Sequence, residues 1–185
     1  MVVSNTSPLR YLIAVGQADL VAQVFEEVLI PPAVLTELTH PSGRGDVRCW
    51  MEQRPSWLQV RTLQAQLMPE FFNALDRGES EAIQLALETR ADFVFMDERL
   101  GRAVAASLGL TVIGALGLLR ESYRQRFLME PLAVVDEMKR IGFRLSQQLY
   151  REFQQEIQSM RLENLEADNH GNVKTGSPSQ SNADN

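Results

Sequence analysis

Short apolar runs and stretches of helical spacing take turns along this chain. Val2 and Val3 open a strand that stops at the polar group Ser4-Asn5-Thr6-Ser7. Pro8 then suits the first turn of a helix, where its missing N–H costs nothing. Leu9, Leu12, Ile13 and Leu20 keep a helical spacing that breaks near Gly16. Val28-Leu29-Ile30 is a second apolar run, halted by Pro31-Pro32, and residues 33–38 read as a helix.

Residues 40–46 hold Pro41, Ser42, Gly43 and Gly45, which is turn chemistry. Residues 57–63 alternate in part and read as a strand. Asp76-Arg77-Gly78-Glu79 leads into a helix through Ile83, Leu85, Ala86 and Leu87. Phe93-Val94-Phe95-Met96 is a buried-looking strand, closed by Asp97-Glu98-Arg99, and a helix over 100–108 ends at Gly109. Residues 110–113 form a further apolar run, and a helix over 115–126 follows Gly114. Strands alternating with helices predict an α/β fold on a mostly parallel sheet. Two amphipathic helices, 132–141 and 146–160, read as an appendage to that sheet domain. The expected organisation is one domain over residues 1–160 and a polar, disordered tail over 161–185, because the tail is too poor in apolar residues to order itself.

Composition narrows the partners. The formal net charge is −6 and the pI near 5.0, which argues against a long basic groove neutralising many phosphates. Cys49 is the single cysteine, so no internal disulfide can form, in keeping with a cytoplasmic protein. No apolar run approaches the length that spans a bilayer, so no membrane partner is expected.

In an open parallel sheet, ligands bind beyond the carboxyl ends of the strands, at the switch in strand order. Two polar clusters fall at such ends: Ser4-Asn5-Thr6-Ser7, and Asp97-Glu98. Glu37 and Glu81 lie on helices that could overhang the same place. Dispersed acids that converge suit a hard divalent cation, which activates water and stabilises charge on a phosphoryl oxygen. Each residue also has a plainer reading. Asn5 and Asp97 suit helix caps, Glu79 a first-turn acid favoured by the helix dipole, and Glu37 a solvated helical face. Trp50 and Trp57 read as packing residues, Cys49 as partly buried and unreactive, and His40 as solvent-facing. Lys139, Arg140, Arg144 and Arg151 read as a solvated face.

The stretches Val2-Val3-Ser4-Asn5-Thr6-Ser7-Pro8-Leu9, Leu29-Ile30-Pro31-Pro32-Ala33-Val34 with Glu37-Leu38, Gly78-Glu79-Ser80-Glu81-Ala82-Ile83, and Met96-Asp97-Glu98-Arg99 together resemble a PIN domain, of a prokaryotic PIN-like subfamily. Gly142-Phe143-Arg144-Leu145-Ser146 resembles the same subfamily. The resemblance implies a three-layer α/β/α fold around a five-stranded parallel sheet, and a ribonuclease dependent on Mg²⁺ or Mn²⁺. It also implies toxin-like relatives paired with a small antitoxin, and homodimers. The family's four acids fall at Asn5, Glu37, Glu81 and Asp97, with Glu98 beside the last as a further metal ligand. Glu37, Glu81 and Asp97 are then the catalytic acids. Thr6, Ser7, Arg99 and Arg102 are candidates for phosphate or substrate contact. Asn5 departs from the family pattern. An amide offers a metal an oxygen but no charge, and that charge is worth roughly 4 kcal/mol against a unit charge at about 4 Å and an effective dielectric of about 20, before desolvation. The expectation is an impaired nuclease, unless Glu98 or Glu79 supplies the missing charge, with a binding module that has lost or nearly lost catalysis as the alternative.

Overall fold

Five short strands, each flanked by helix, set the architecture. The structure, a computed structural model, describes residues 1–66 and 75–172, with side chains described to residue 164. Met1–Arg144 and Leu145–Asn185 form two compact units.

The first unit carries the sheet. Its strands are β1 (Val2–Ser4), β2 (Val28–Ile30), β3 (Leu58–Val60), β4 (Phe93–Phe95) and β5 (Val112–Ile113). All four pairings are parallel, in the order β3-β2-β1-β4-β5. The chain therefore builds outward from β1 in one direction, then returns to add β4 on its other side. That reversal is the switch point, and the crevice it opens lies beyond Ser4 and Phe95, which are in register. Asn5 N–H donates to the Phe95 carbonyl at 2.9 Å, carrying the ladder one residue into the crevice.

Period-2 alternation explains the two layers of helix. Val3, Leu29 and Val94 face one way and pack with Ala82, Ile83, Leu85, Ala86 and Ala105, from α5 (Arg77–Thr89) and α6 (Arg99–Ser107). Phe93, one residue before Val94, meets Phe25 on the other side, with ring centroids 5.3 Å apart. Phe25 ends α2 (Asp19–Phe25), which packs with α7 (Ala115–Arg124). The remaining helices of this unit are α1 (Thr6–Ala14), α3 (Pro32–Leu38), α4 (Gly45–Glu52) and α8 (Pro131–Arg140). Pro8 sits in the first turn of α1 as expected, and Gly16, at φ +69°, turns the chain between α1 and α2.

The turn expected at 40–46 forms over residues 40–44, with Gly43 N–H donating to the His40 carbonyl at 2.8 Å. The chain then enters α4, which buries Val47 and Met51, spaced i,i+4, on one face. Two readings are corrected. Cys49, on that helix, is exposed and not partly buried. In the second unit α9 spans Gln147–Asn172, so it runs past residue 161, where the tail was expected to begin. Arg161, Leu162 and Glu163 are good helix formers, and propensity outweighs the lack of apolar residues there. The rest of the expected tail, 173–185, lies outside the described residues. Trp50 and Trp57 pack on each other, with centroids 5.8 Å apart, as their packing role predicts. No described helix is long and apolar enough to cross a membrane.

Candidate acidic site at the switch point

Asn5 stands at the end of β1, 2% exposed. Its Oδ1 accepts from Thr6 N–H at 2.6 Å, capping α1. Its Nδ2 donates to Glu98 Oε2 at 3.1 Å. Both amide atoms are thus engaged, and the donor side faces the acid. Glu98 is the N-cap residue of α6, one position beyond Asp97.

Asp97 follows β4. Its Oδ1 accepts from Ala115 N–H at 2.8 Å, at the start of α7. Its Oδ2 is buried and has no hydrogen-bond partner. Burial first, and then the charge of Glu98, push its carboxyl up to about 6, against the pull of Ala115 N–H and Arg102. Gly114 makes this approach possible, because a Cβ there would lie 2.7 Å from Asp97 Oδ1 and 2.9 Å from Arg102 Nη1.

The N-terminus of α5 supplies the next acids. Asp76 and Glu79 form a reciprocal capping box: Glu79 N–H donates to Asp76 Oδ1 at 2.7 Å, and Asp76 N–H donates to Glu79 Oε2 at 3.1 Å. Glu79 is 6% exposed. Burial raises its carboxyl to about 7, and Asp76, Glu98 and Glu37 add to the rise. Its other oxygen fits beside Gly101 of α6, where a Cβ would come within 3.0 Å of Oε1.

Glu37 reaches in from α3 and accepts a hydrogen bond from Thr6 Oγ1. Burial is the chief reason its carboxyl is raised, with Asp76 and Glu81 contributing. Gly78 lets it lie against α5, since a Cβ there would sit 2.6 Å from Glu37 Oε1. Across the crevice the acids therefore run from Glu37, past Glu79, to Glu98 and Asp97.

Glu81 is arranged differently. It accepts from Ala33 N–H through Oε2 and from Arg77 Nε through Oε1, both at 2.8 Å. Each of its oxygens already has a donor, one of them the backbone that starts α3. Arg102 turns its Nη1 to the Met96 carbonyl at 2.8 Å, bracing the end of β4. Arg99 is exposed at the start of α6, and Ser7 is half-buried on the first turn of α1. The sequence suggested two parts for Glu79, a first-turn acid favoured by the helix dipole or a substitute for the charge missing at Asn5, and none for Asp76 and Arg77. The Asp-x-x-Glu spacing of a capping box was the signal that Asp76 and Glu79 act together.

The donor chemistry suits a hard divalent cation: carboxylate oxygens, two of them on acids whose carboxyls are raised by burial and by neighbouring acids, and one buried oxygen without a partner. As the side chains lie, no three acids among the described residues are grouped closely enough to hold one ion. Glu37 and Glu98 are drawn instead to Thr6 and Asn5.

A family model described as a PIN domain matches residues 1–159. No curated protein matches the chain. A PilT N-terminus domain protein from the hyperthermophilic archaeon Sulfolobus solfataricus P2 is similar in structure, with a TM-score of 0.49 and 20% sequence identity over 65% of this chain and 92% of that one.

Proposed function

Because the chain belongs to the PIN-domain family, whose members are generally metal-dependent nucleases, we propose that it is a divalent-metal-dependent endoribonuclease with a weakened metal centre. The observation that carries this reading is the row of acids at the switch point, ending in the unpartnered Oδ2 of Asp97. Glu37, Glu79, Asp97 and Glu98 would hold Mg²⁺ or Mn²⁺, and the ion would supply an activated water and charge stabilisation at the scissile phosphate.

The chain's own groups prepare that chemistry. Thr6 fixes the Glu37 carboxylate by hydrogen bond. Ala115 N–H fixes one oxygen of Asp97 and leaves the other open. Glu81 ties α5 to the start of α3, so that Glu37 and Glu79 keep their relative positions. Asn5 holds Glu98 without charge. RNA is the proposed substrate. A toxin-like role with a small antitoxin, a homodimer, and a cytoplasmic site of action are proposed alongside it, on the family resemblance.

The test is cleavage of a labelled RNA by purified protein with Mn²⁺, beside a chelator control and the variants Asp97→Asn and Glu79→Gln. Cleavage should need the metal and fall at least about a hundredfold in each variant, as the loss of roughly 2.7 kcal/mol of transition-state stabilisation would give. Cleavage that persists under chelation, or in both variants, overturns the reading. The engagement of both Asn5 amide atoms favours a second reading, a PIN-fold module that binds RNA or protein with little catalysis. Inactive wild type together with an active Asn5→Asp variant would decide for it.

A further inference from the structure

The acids at the switch point create a difficulty for the nuclease reading. A phosphodiester approaching Glu37, Asp76, Glu79 and Glu98 meets like charge, in a chain whose net charge is −6. Cations must stand at the rim. Arg102, the basic residue next along α6, has its guanidinium against the Met96 carbonyl.

Arg77 is placed for the task. It is the first residue of α5, directly after the capping Asp76 and before Gly78, whose Cα side lies against Glu37. Its Nε donates to Glu81 Oε1 at 2.8 Å, yet its side chain is 79% exposed while that of Glu81 is 5% exposed. An ordinary i,i+4 surface pair has two solvated, mobile partners and contributes little. Here the acid is buried and pinned on its other oxygen by Ala33 N–H. The arginine is therefore anchored at Nε, and the bond leaves its two terminal nitrogens for another partner. A guanidinium fork of that kind suits phosphate. Arg99 is likewise first in its helix, α6, exposed, and directly after the N-cap residue Glu98, whose carboxylate accepts from Asn5 Nδ2. Arg77 thus adjoins Gly78, which packs on Glu37, and Arg99 adjoins Glu98, which bonds Asn5, so each arginine follows an acid of the site along its own helix.

We infer that Arg77, anchored by buried Glu81, and Arg99 form a two-point clamp that seats the RNA backbone across the acids. The inference rests on the nuclease reading and gives Glu81 a part in it: its carboxylate holds the arginine.

The test is binding of a fluorescein-labelled single-stranded RNA by the full chain, followed by anisotropy across a salt series with Ca²⁺. Arg77→Ala should weaken binding about tenfold and flatten the salt dependence by about 0.7, the slope carried by one phosphate on a single strand. Arg77→Lys, which keeps the charge but loses the Nε anchor, should fall between. Glu81→Gln should weaken binding although the arginine remains. Thermal melts of all three variants identify any that fail to fold, and Arg77→Lys, the mildest change, then carries the comparison. If wild type binds RNA and Arg77→Ala matches it in affinity and slope, the clamp is overturned while cleavage by wild type keeps the nuclease reading alive. If wild type binds no RNA at all, the clamp and the nuclease reading fall together.

Discussion

Nδ2 of Asn5 donates to Oε2 of Glu98 across 3.1 Å, joining the end of β1 to the cap of α6 by a bond that an ionised aspartate could not make. An amide at this position settles the acid beside it without a cation. A carboxylate would repel it unless a cation lay between them.

Asn5→Asp should therefore act in opposite directions with and without metal. In chelator the variant should lose roughly 1–2 kcal/mol of stability, a fraction of the ~4 kcal/mol that two unit charges at about 4 Å exchange at an effective dielectric of about 20. With Mn²⁺ it should bind the ion at least about tenfold more tightly than wild type, or ~1.4 kcal/mol. Denaturant melts and calorimetric titration check the two halves. Equal metal affinity would show that Asn5 lies outside the ion's reach.

Stability of the metal-free protein should fall as pH rises. Glu79 is raised from an ordinary 4.5 to about 7, and Asp97 from 3.8 to about 6, each chiefly by burial. The folded chain thus keeps protons that the unfolded chain has lost. The stability these groups contribute is complete below about pH 4 and is lost as pH rises through 6 and then 7. Denaturant unfolding in chelator should show a loss of roughly 1–3 kcal/mol between pH 5 and pH 8. Glu79→Gln should flatten the upper part of that slope.

Gly78→Ala and Gly101→Ala should separate function from stability. A Cβ at Gly78 meets the end of the exposed Glu37 side chain at 2.6 Å, so the side chain can swing away. Stability should change by less than about 1 kcal/mol, because alanine also favours the helix. Metal-dependent activity should drop about tenfold or more as Glu37 leaves its place. A Cβ at Gly101 runs into the buried Met96 Sδ and approaches Glu79 Oε1. That variant should lose about 1–3 kcal/mol by overpacking. Thermal melts and cleavage rates report both.

Glu81→Ala should cost about 2–4 kcal/mol, because it strands the buried Ala33 N–H as well as removing the partner of Arg77. A cost below about 0.5 kcal/mol in denaturant unfolding would mean that the bond to Ala33 does not brace α3.

The sequence by itself determined the sheet and its corners. Apolar runs such as Val28-Leu29-Ile30 and Phe93-Val94-Phe95, each bounded by turn or cap residues, need burial on both faces, and only helix on either side of a parallel sheet provides it. It also placed Asn5 and Asp97 at strand ends beside the switch in strand order. It did not settle which acids face the crevice. Glu79 and Glu81 are two residues apart, so they point roughly 200° away from each other around α5. The rotation of that helix is set by how Ala82, Ile83, Leu85 and Ala86 seat on the sheet, a packing decision that no local pattern encodes. Packing brings Glu79 to Glu37 and Glu98, and sets Glu81 near Glu37 as well, with its two oxygens on Ala33 and Arg77. Likewise the residue type at position 5 was legible from the start. That its amide meets Glu98, 93 residues further along the chain, was decided only when β4 paired with β1.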